Sequence, residues 1–105
     1  MIESKLVGTT LYVGLSGELD EGSAALVRSE LDEAISIGEI RKVIIEMSEL
    51  KFMDSTGIGV LLGRYKKLSA AGVPIFIANP SKTIDKILTL SGVYGIMPKI
   101  ELQEA

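Results

Sequence analysis

The sequence contains no cysteine, no histidine and no tryptophan. Without cysteine there is no disulfide framework, no thiolate zinc site and no thiol nucleophile. Without histidine the commonest general base, the usual serine triad and the commonest metal ligand are missing too. Carboxylates remain, but no acidic spacing here matches a calcium loop. No catalytic residue, no metal ligand and no cofactor are therefore expected, and the chain does not read as an enzyme. An excess of positive charge is also lacking: 11 Lys and Arg against 14 Asp and Glu leave a net charge of −3. Direct binding of nucleic acid needs a basic surface to neutralise phosphates, so it is not expected. The one basic cluster, Arg64, Lys66 and Lys67, reads as a solvated helix face. No apolar run approaches the roughly 20 residues that cross a bilayer. Residues 1–8 lack the basic-then-apolar layout of a signal peptide. The chain reads as soluble and cytoplasmic, with no membrane contact.

What remains is ordinary globular composition: 105 residues, 47% hydrophobic and 24% charged. That length suits a single domain over residues 1–105. Ile2 to Val7 and Leu11 to Leu15 are short apolar-rich runs joined at Gly8-Thr9-Thr10, and they predict two strands with a tight turn. Leu11, Val13 and Leu15 alternate, so one face of the second strand is buried. Gly17-Glu18-Leu19-Asp20 reads as a loop. Ala24, Val27, Leu31, Ala34 and Ile35 then recur at helical spacing, with Arg28, Glu30, Asp32 and Glu33 outside. Asp20 or Ser23 caps this helix and Gly38 ends it.

Val43-Ile44-Ile45 reads as a buried central strand. Ser48 to Met53 follows, then Asp54-Ser55-Thr56-Gly57 and a second helix with Ile58, Leu61, Leu62, Tyr65 and Leu68 on its apolar face. Gly72 closes it just before Pro74. Val73 to Ala78 is the next strand and Asn79-Pro80-Ser81 the turn and cap of a third helix, marked by Ile84, Ile87, Leu88 and Ser91 and ending at Gly92. Pro98 to Leu102 is the last strand. The order β-β-α-β-α-β-α-β, with right-handed strand–helix–strand units, predicts an α/β fold: a mixed sheet with helices packed on it.

Asp54-Ser55-Thr56-Gly57-Ile58-Gly59 sits between the buried strand and the second helix and allows several readings. Gly57, Gly59 and Gly63 imitate a dinucleotide fingerprint, but the third glycine is one residue late and the following strand ends in Ala78-Asn79 with no acid for a ribose. A nucleophile elbow needs glycine where Met53 stands, no histidine exists to activate the hydroxyl, and no S-x-x-K for a Ser-Lys variant follows Ser55. Two readings survive together. Asp54, Ser55 and Thr56 cap the helix. Ser55 also suits a phosphoacceptor, since its phosphate would meet free N–H groups at the positive end of the helix dipole and add nearly two negative charges beside Asp54. Gly59 and Gly63 each cost about 1 kcal/mol against alanine inside a helix. Either close packing on the sheet or the approach of a partner to the backbone explains them. Gly17-Glu18-Leu19-Asp20 is either a plain connection or the rim of a binding face at the same sheet end as Ser55.

The run from Phe52 to Lys66, with Asp54-Ser55-Thr56-Gly57-Ile58-Gly59 at its centre, resembles the signature of bacterial anti-sigma factor antagonists of the STAS domain family. Gly17-Glu18-Leu19-Asp20 matches that family's other hallmark. The resemblance spans essentially the whole chain and is closest to the sporulation antagonists of the sigma-F pathway, looser to the general-stress ones. It implies a STAS fold, a mixed sheet with helices along one side. It implies that the unphosphorylated protein binds an anti-sigma factor that is also a serine kinase, ATP-binding and histidine-kinase-like in fold, and so releases the sigma factor for transcription. Phosphorylation of Ser55 would end that binding, and a PP2C-type phosphatase would restore it. On this resemblance the partner face comprises Gly17, Glu18, Leu19, Asp20, Asp54, Thr56, Gly57 and Gly59. Thr56 stands where the family often has a second serine; Ser55 is the expected acceptor because it directly follows the Asp. The family usually carries a further helix after the last strand, which here would be short or missing at Gln103-Glu104-Ala105. A STAS module in a transporter-accessory or stressosome-like assembly is the alternative role.

Overall fold

The computed structural model describes residues 1–102. Ile2–Val7 (β1) and Thr10–Leu19 (β2) pair antiparallel, with Val7 opposite Thr10 and Ile2 opposite Leu15. Ala24–Ile35 (α1) leads to Lys42–Met53 (β3), Ser55–Ala70 (α2) to Ile75–Ala78 (β4), and Lys82–Leu90 (α3) with a 3₁₀ turn at Val93–Gly95 to Lys99–Ile100 (β5). The sheet order is β1-β2-β3-β4-β5, and β2 to β5 all run parallel. Sequential parallel strands joined by right-handed crossovers put every helix on the same face, so the fold is the expected one-sided α/β sandwich. Leu11, Val13, Leu15, Val43, Ile45, Met47, Ile75 and Ile77 from the sheet meet Val27, Leu31, Val60, Leu61, Leu68, Ile84 and Leu88 from the helices.

β2 runs on past Leu15, so Gly17 to Leu19, expected in a loop, belong to the strand, and three further differences from the sequence expectations have local causes. First, β3 continues through Ser48 to Met53. Its register against β2 slips twice, between Gly14/Ser16 and between Gly17/Glu18, so two residues of β3 face one of β2 at each slip. The buried positions Met47, Leu50 and Met53 therefore fall three apart, which breaks the period of two that marks a strand. At the first slip Glu46 Oε1 accepts the N–H of Ser48 at 2.6 Å, replacing the missing ladder bond. Second, the last two strands are shorter than expected: Val73 and Pro74 stay outside β4, and β5 is only Lys99–Ile100. Third, α2 is rotated. Its buried residues are Gly57, Val60, Leu61, Arg64 and Leu68, while Leu62 is exposed. Arg64 is thus not on a solvated face. It is 8% exposed, with Nε 3.1 Å from Asp32 Oδ1 of α1, and Lys67 reaches the same oxygen at 3.2 Å. Asp32 faces α2 instead of lying free. The expectation about a shortened helix at 103–105 lies outside the described residues.

A buried guanidinium without its counter-ion retains the desolvation penalty and loses the compensation. Asp32→Ala is expected to lower stability by about 1–3 kcal/mol in urea unfolding. Arg64→Met, which keeps the stem and removes the charge, is expected to lose less. Equal losses in the two variants would show that packing, and not the charge, sets the effect.

Two carboxylates are held below the ordinary carboxylate range. Burial pushes the Glu46 pKa up, but hydrogen bonds from Ser48 and from Asn79 Nδ2 (2.7 Å) outweigh it, so the net direction is down. Asp85 is lowered by the Tyr94 hydroxyl and then by Lys99. Groups whose folded values are depressed stabilise fully above the ordinary carboxylate range near about 4 and lose that contribution as pH falls through the lowered values. Thermal melts below that range are expected to show a shallower decline for Glu46→Gln than for the wild type; parallel declines would contradict this.

Candidate functional site

The site is where the end of β2 meets the start of α2. Glu18 pairs with Phe52 and Leu19 with Met53, so Gly17 to Asp20 runs beside Phe52 to Asp54. The Asp54 N–H donates to the Leu19 carbonyl at 3.3 Å. Directly beyond, α2 crosses the same carbonyl so closely that a Cβ on Gly57 would lie 2.5 Å from the Leu19 oxygen. No side chain fits there, and this fixes Gly57 as glycine.

Asp54 is the N-cap. Its backbone is extended and its Oδ1 accepts the Gly57 N–H at 3.0 Å, while its carbonyl accepts the Ile58 N–H. One carboxylate therefore does the capping. Ser55, the first residue of α2, is exposed, and its hydroxyl has no hydrogen-bond partner among the described residues. The N–H groups of Ser55 and Thr56 are likewise without a partner among them. The sequence reading that Ser55 helps to cap the helix is corrected: Asp54 leaves the serine free.

The neighbouring segment is held by its own bonds. Gly17 adopts φ +76°, a left-handed conformation that favours glycine. Ser23 Oγ donates to the Glu18 carbonyl at 2.7 Å and accepts the Asp20 N–H at 3.0 Å. Asp20 Oδ1 accepts the Ser23 N–H at 3.1 Å, and the Asp20 carbonyl accepts that of Ala24. Asp20 and Ser23 thus share the start of α1 between them.

The expected partner residues divide on this geometry. Glu18 and Gly59 are exposed, and Gly17, Asp20, Asp54 and Thr56 are half-buried. Leu19 and Gly57 are buried. Leu19 is the last residue of β2 and fills the core, so it cannot offer its side chain to a partner, and Gly57 is enclosed between Leu19 and Met53. The helix glycines divide likewise. Packing accounts for Gly57, whereas a Cβ on Gly59 or Gly63 would meet nothing within 4 Å. Two exposed apolar side chains flank the site: Phe52, 46% exposed at the end of β3, and Leu62, 37% exposed on α2. The sequence expectation puts Leu62 on the buried face of α2 and gives Phe52 no role of its own. The signal was the spacing Gly59, Leu62, Gly63, which marks an outward stripe and not a core stripe.

A model of the STAS domain matches residues 1–105. The chain belongs to the STAS domain family. This STAS domain is 39% identical over 88 residues to an anti-sigma F factor antagonist of Paenibacillus polymyxa, covering 84% of this chain and 75% of that protein. Its fold matches the anti-sigma factor antagonist SpoIIAA in its unphosphorylated form with a TM-score of 0.83 at 30% identity, over 99% of this chain and 90% of that one. It also matches Bacillus SpoIIAA in the phosphorylated form with a TM-score of 0.75 at 30% identity, over 99% and 93%. Among the described residues no helix of this STAS domain is long and apolar enough to cross a membrane.

The helix glycines separate packing from exposure in one experiment. Gly57→Ala drives a methyl into the Leu19 backbone and is expected to cost several kcal/mol, as overpacking against a rigid neighbour does, on the order of 2–3. Gly63→Ala meets open space and is expected to gain up to about 1 kcal/mol from helix propensity. Chemical denaturation measures both, and a Gly63→Ala variant less stable than wild type would contradict the geometry.

Proposed function

We propose that this chain is a single-domain, cytoplasmic anti-sigma factor antagonist, without enzymatic activity, whose phosphoacceptor is Ser55. In its unphosphorylated form it binds an anti-sigma factor that is also an ATP-dependent serine kinase, and the bound sigma factor is released. The face it presents comprises Glu18, Asp20, Asp54, Thr56 and Gly59, with Phe52 and Leu62 as apolar anchors. The observation that carries this reading is the division of labour at α2: Asp54 caps, so the Ser55 hydroxyl is exposed and uncommitted.

Phosphoryl transfer needs little from this side. The Ser55 Oγ attacks the γ-phosphorus of ATP in the kinase, the Oγ–P bond forms as the bond to ADP breaks, and the hydroxyl proton passes to a base of the kinase. The product carries about −1.5 to −2 charge at neutral pH. On its own helix that charge is tolerated, since the free N–H groups of Ser55 and Thr56 and the dipole favour an anion there. The fold of a phosphorylated relative, matched above, supports the view that the sheet stays intact. Against a partner seated on Asp54, Ser55 and Gly59, the same charge clashes. A PP2C-type phosphatase reverses the change by hydrolysis.

Like-charge juxtaposition at an interface costs several kcal/mol, so Ser55→Asp is expected to bind the kinase at least about 100-fold more weakly than Ser55→Ala, or about 2.7 kcal/mol. Titration calorimetry with the purified kinase and ADP measures both. After incubation with kinase and ATP, peptide mass spectrometry is expected to place the phosphate on Ser55 and not Thr56. Equal affinity of the two variants, or capture of a transporter or scaffold in place of a kinase, would overturn the reading.

A further inference from the structure

β1 is one edge of the sheet, opposite the two-residue edge strand β5, and its sequence is self-complementary. From position 2 to position 6 it runs Ile-Glu-Ser-Lys-Leu, with apolar residues outermost, opposite charges inside them and Ser4 at the centre. We infer that β1 is a self-association edge, at which a second copy of this chain adds antiparallel about a two-fold axis through Ser4.

The hydrogen-bond parity supports this register. The Met1 carbonyl accepts the Ser16 N–H at 2.8 Å, and the β1–β2 register is unbroken. In an antiparallel pair the inward and outward backbone groups alternate. Residues 1, 3, 5 and 7 therefore bond toward β2, and Ile2, Ser4 and Leu6 present their N–H and C=O groups to the free edge. A two-fold axis through Ser4 makes Ser4 opposite Ser4 a hydrogen-bonded pair and sets Ile2 opposite Leu6 of the second copy. Glu3 then stands opposite Lys5 of that copy in a non-hydrogen-bonded pair, the type that brings side chains closest. No other register of this strand places both glutamates opposite lysines.

Exposed apolar residues cluster around this edge beside the exposed Glu3, Ser4 and Lys5. Val7 is 50% exposed, and Ile37, just after α1, is 60% exposed; Met1 and Leu6 are exposed beside them. A hollow of about 200 Å³ opens beneath α1, lined by Ile2, Ser4, Ala34 and Ile37 and rimmed by Glu30 and Glu33. In the proposed pair Leu6 of the second copy lies against Ile2 at the mouth of that hollow. β1 contains no proline and no bulge, two of the devices that usually blunt an edge. Because β1 pairs only with residues 10–15 of β2, the segment 17–20 and the start of α2 stay clear, and one dimer presents two copies of the Ser55 face.

Sedimentation velocity on the full chain, over a hundredfold range of concentration up to millimolar, tests this. The wild type is expected to shift from monomer toward dimer. Ser4→Pro removes an N–H that points away from β2, so it is expected to leave the circular dichroism and melting midpoint unchanged and to abolish the dimer. Glu3→Lys and Lys5→Glu each set like charges opposite one another and are expected to be monomeric alone. Mixed, they restore both opposite-charge pairs and are expected to sediment as a one-to-one heterodimer. A wild type that stays monomeric throughout, a dimer that survives Ser4→Pro, or charge variants that fail to associate when mixed would overturn the proposal.

Discussion

The Leu19 carbonyl of β2 lies so close over Gly57 of α2 that no Cβ fits between them, and the rest of the site follows from that contact. It requires a residue without a Cβ at the third position of the helix. It also holds the Gly57 N–H within reach of the Asp54 carboxylate, so a single aspartate satisfies the helix start. The serine between them has nothing structural left to do. Its hydroxyl faces solvent at a point where the helix dipole and two N–H groups, unpaired among the described residues, favour negative charge. Addition of an anion there acts on whatever approaches from outside and not on the sheet beneath.

The one-sided architecture explains why the two hallmark segments meet. Parallel neighbours β2 and β3 end together, and each hands on to a helix at that same end. The two register slips in β3 lengthen it relative to β2, which carries Met53 level with Leu19. Without them Asp54 would not reach the Leu19 carbonyl. Glu46, which takes the N–H released by the first slip, is part of that geometry even though it lies several residues from the site.

Much of this was legible in the residues. The element order, the parallel core, the cap of α3 at Ser81 and the buried stripe of α1 all follow from spacing and turn chemistry. The Asp54-Ser55-Thr56-Gly57 motif stood out from its position between a buried strand and a helix. The remainder was hidden for specific reasons. Leu19 reads as a loop residue because Gly17 and Asp20 bracket it with turn formers, yet it is the last core residue of β2. Met47, Leu50 and Met53 lie three apart, so bulges concealed half of β3. Hydropathy ranks Leu62 above Arg64 for the buried face of α2, while the Asp32 carboxylate makes Arg64 the residue that goes inside. Nor did composition distinguish the one glycine that must be glycine from the two that face open space.

The central claim is that charge added at Ser55 is a local event with an external consequence. Backbone amide spectra of the protein, recorded bare and then stoichiometrically phosphorylated, test it most directly when combined with hydrogen-exchange rates. The account predicts shifts confined to residues 17–23 and 52–60, with protection of β2, β3 and β4 unchanged. Shifts spread through the sheet, or a general loss of protection in those strands, would contradict it.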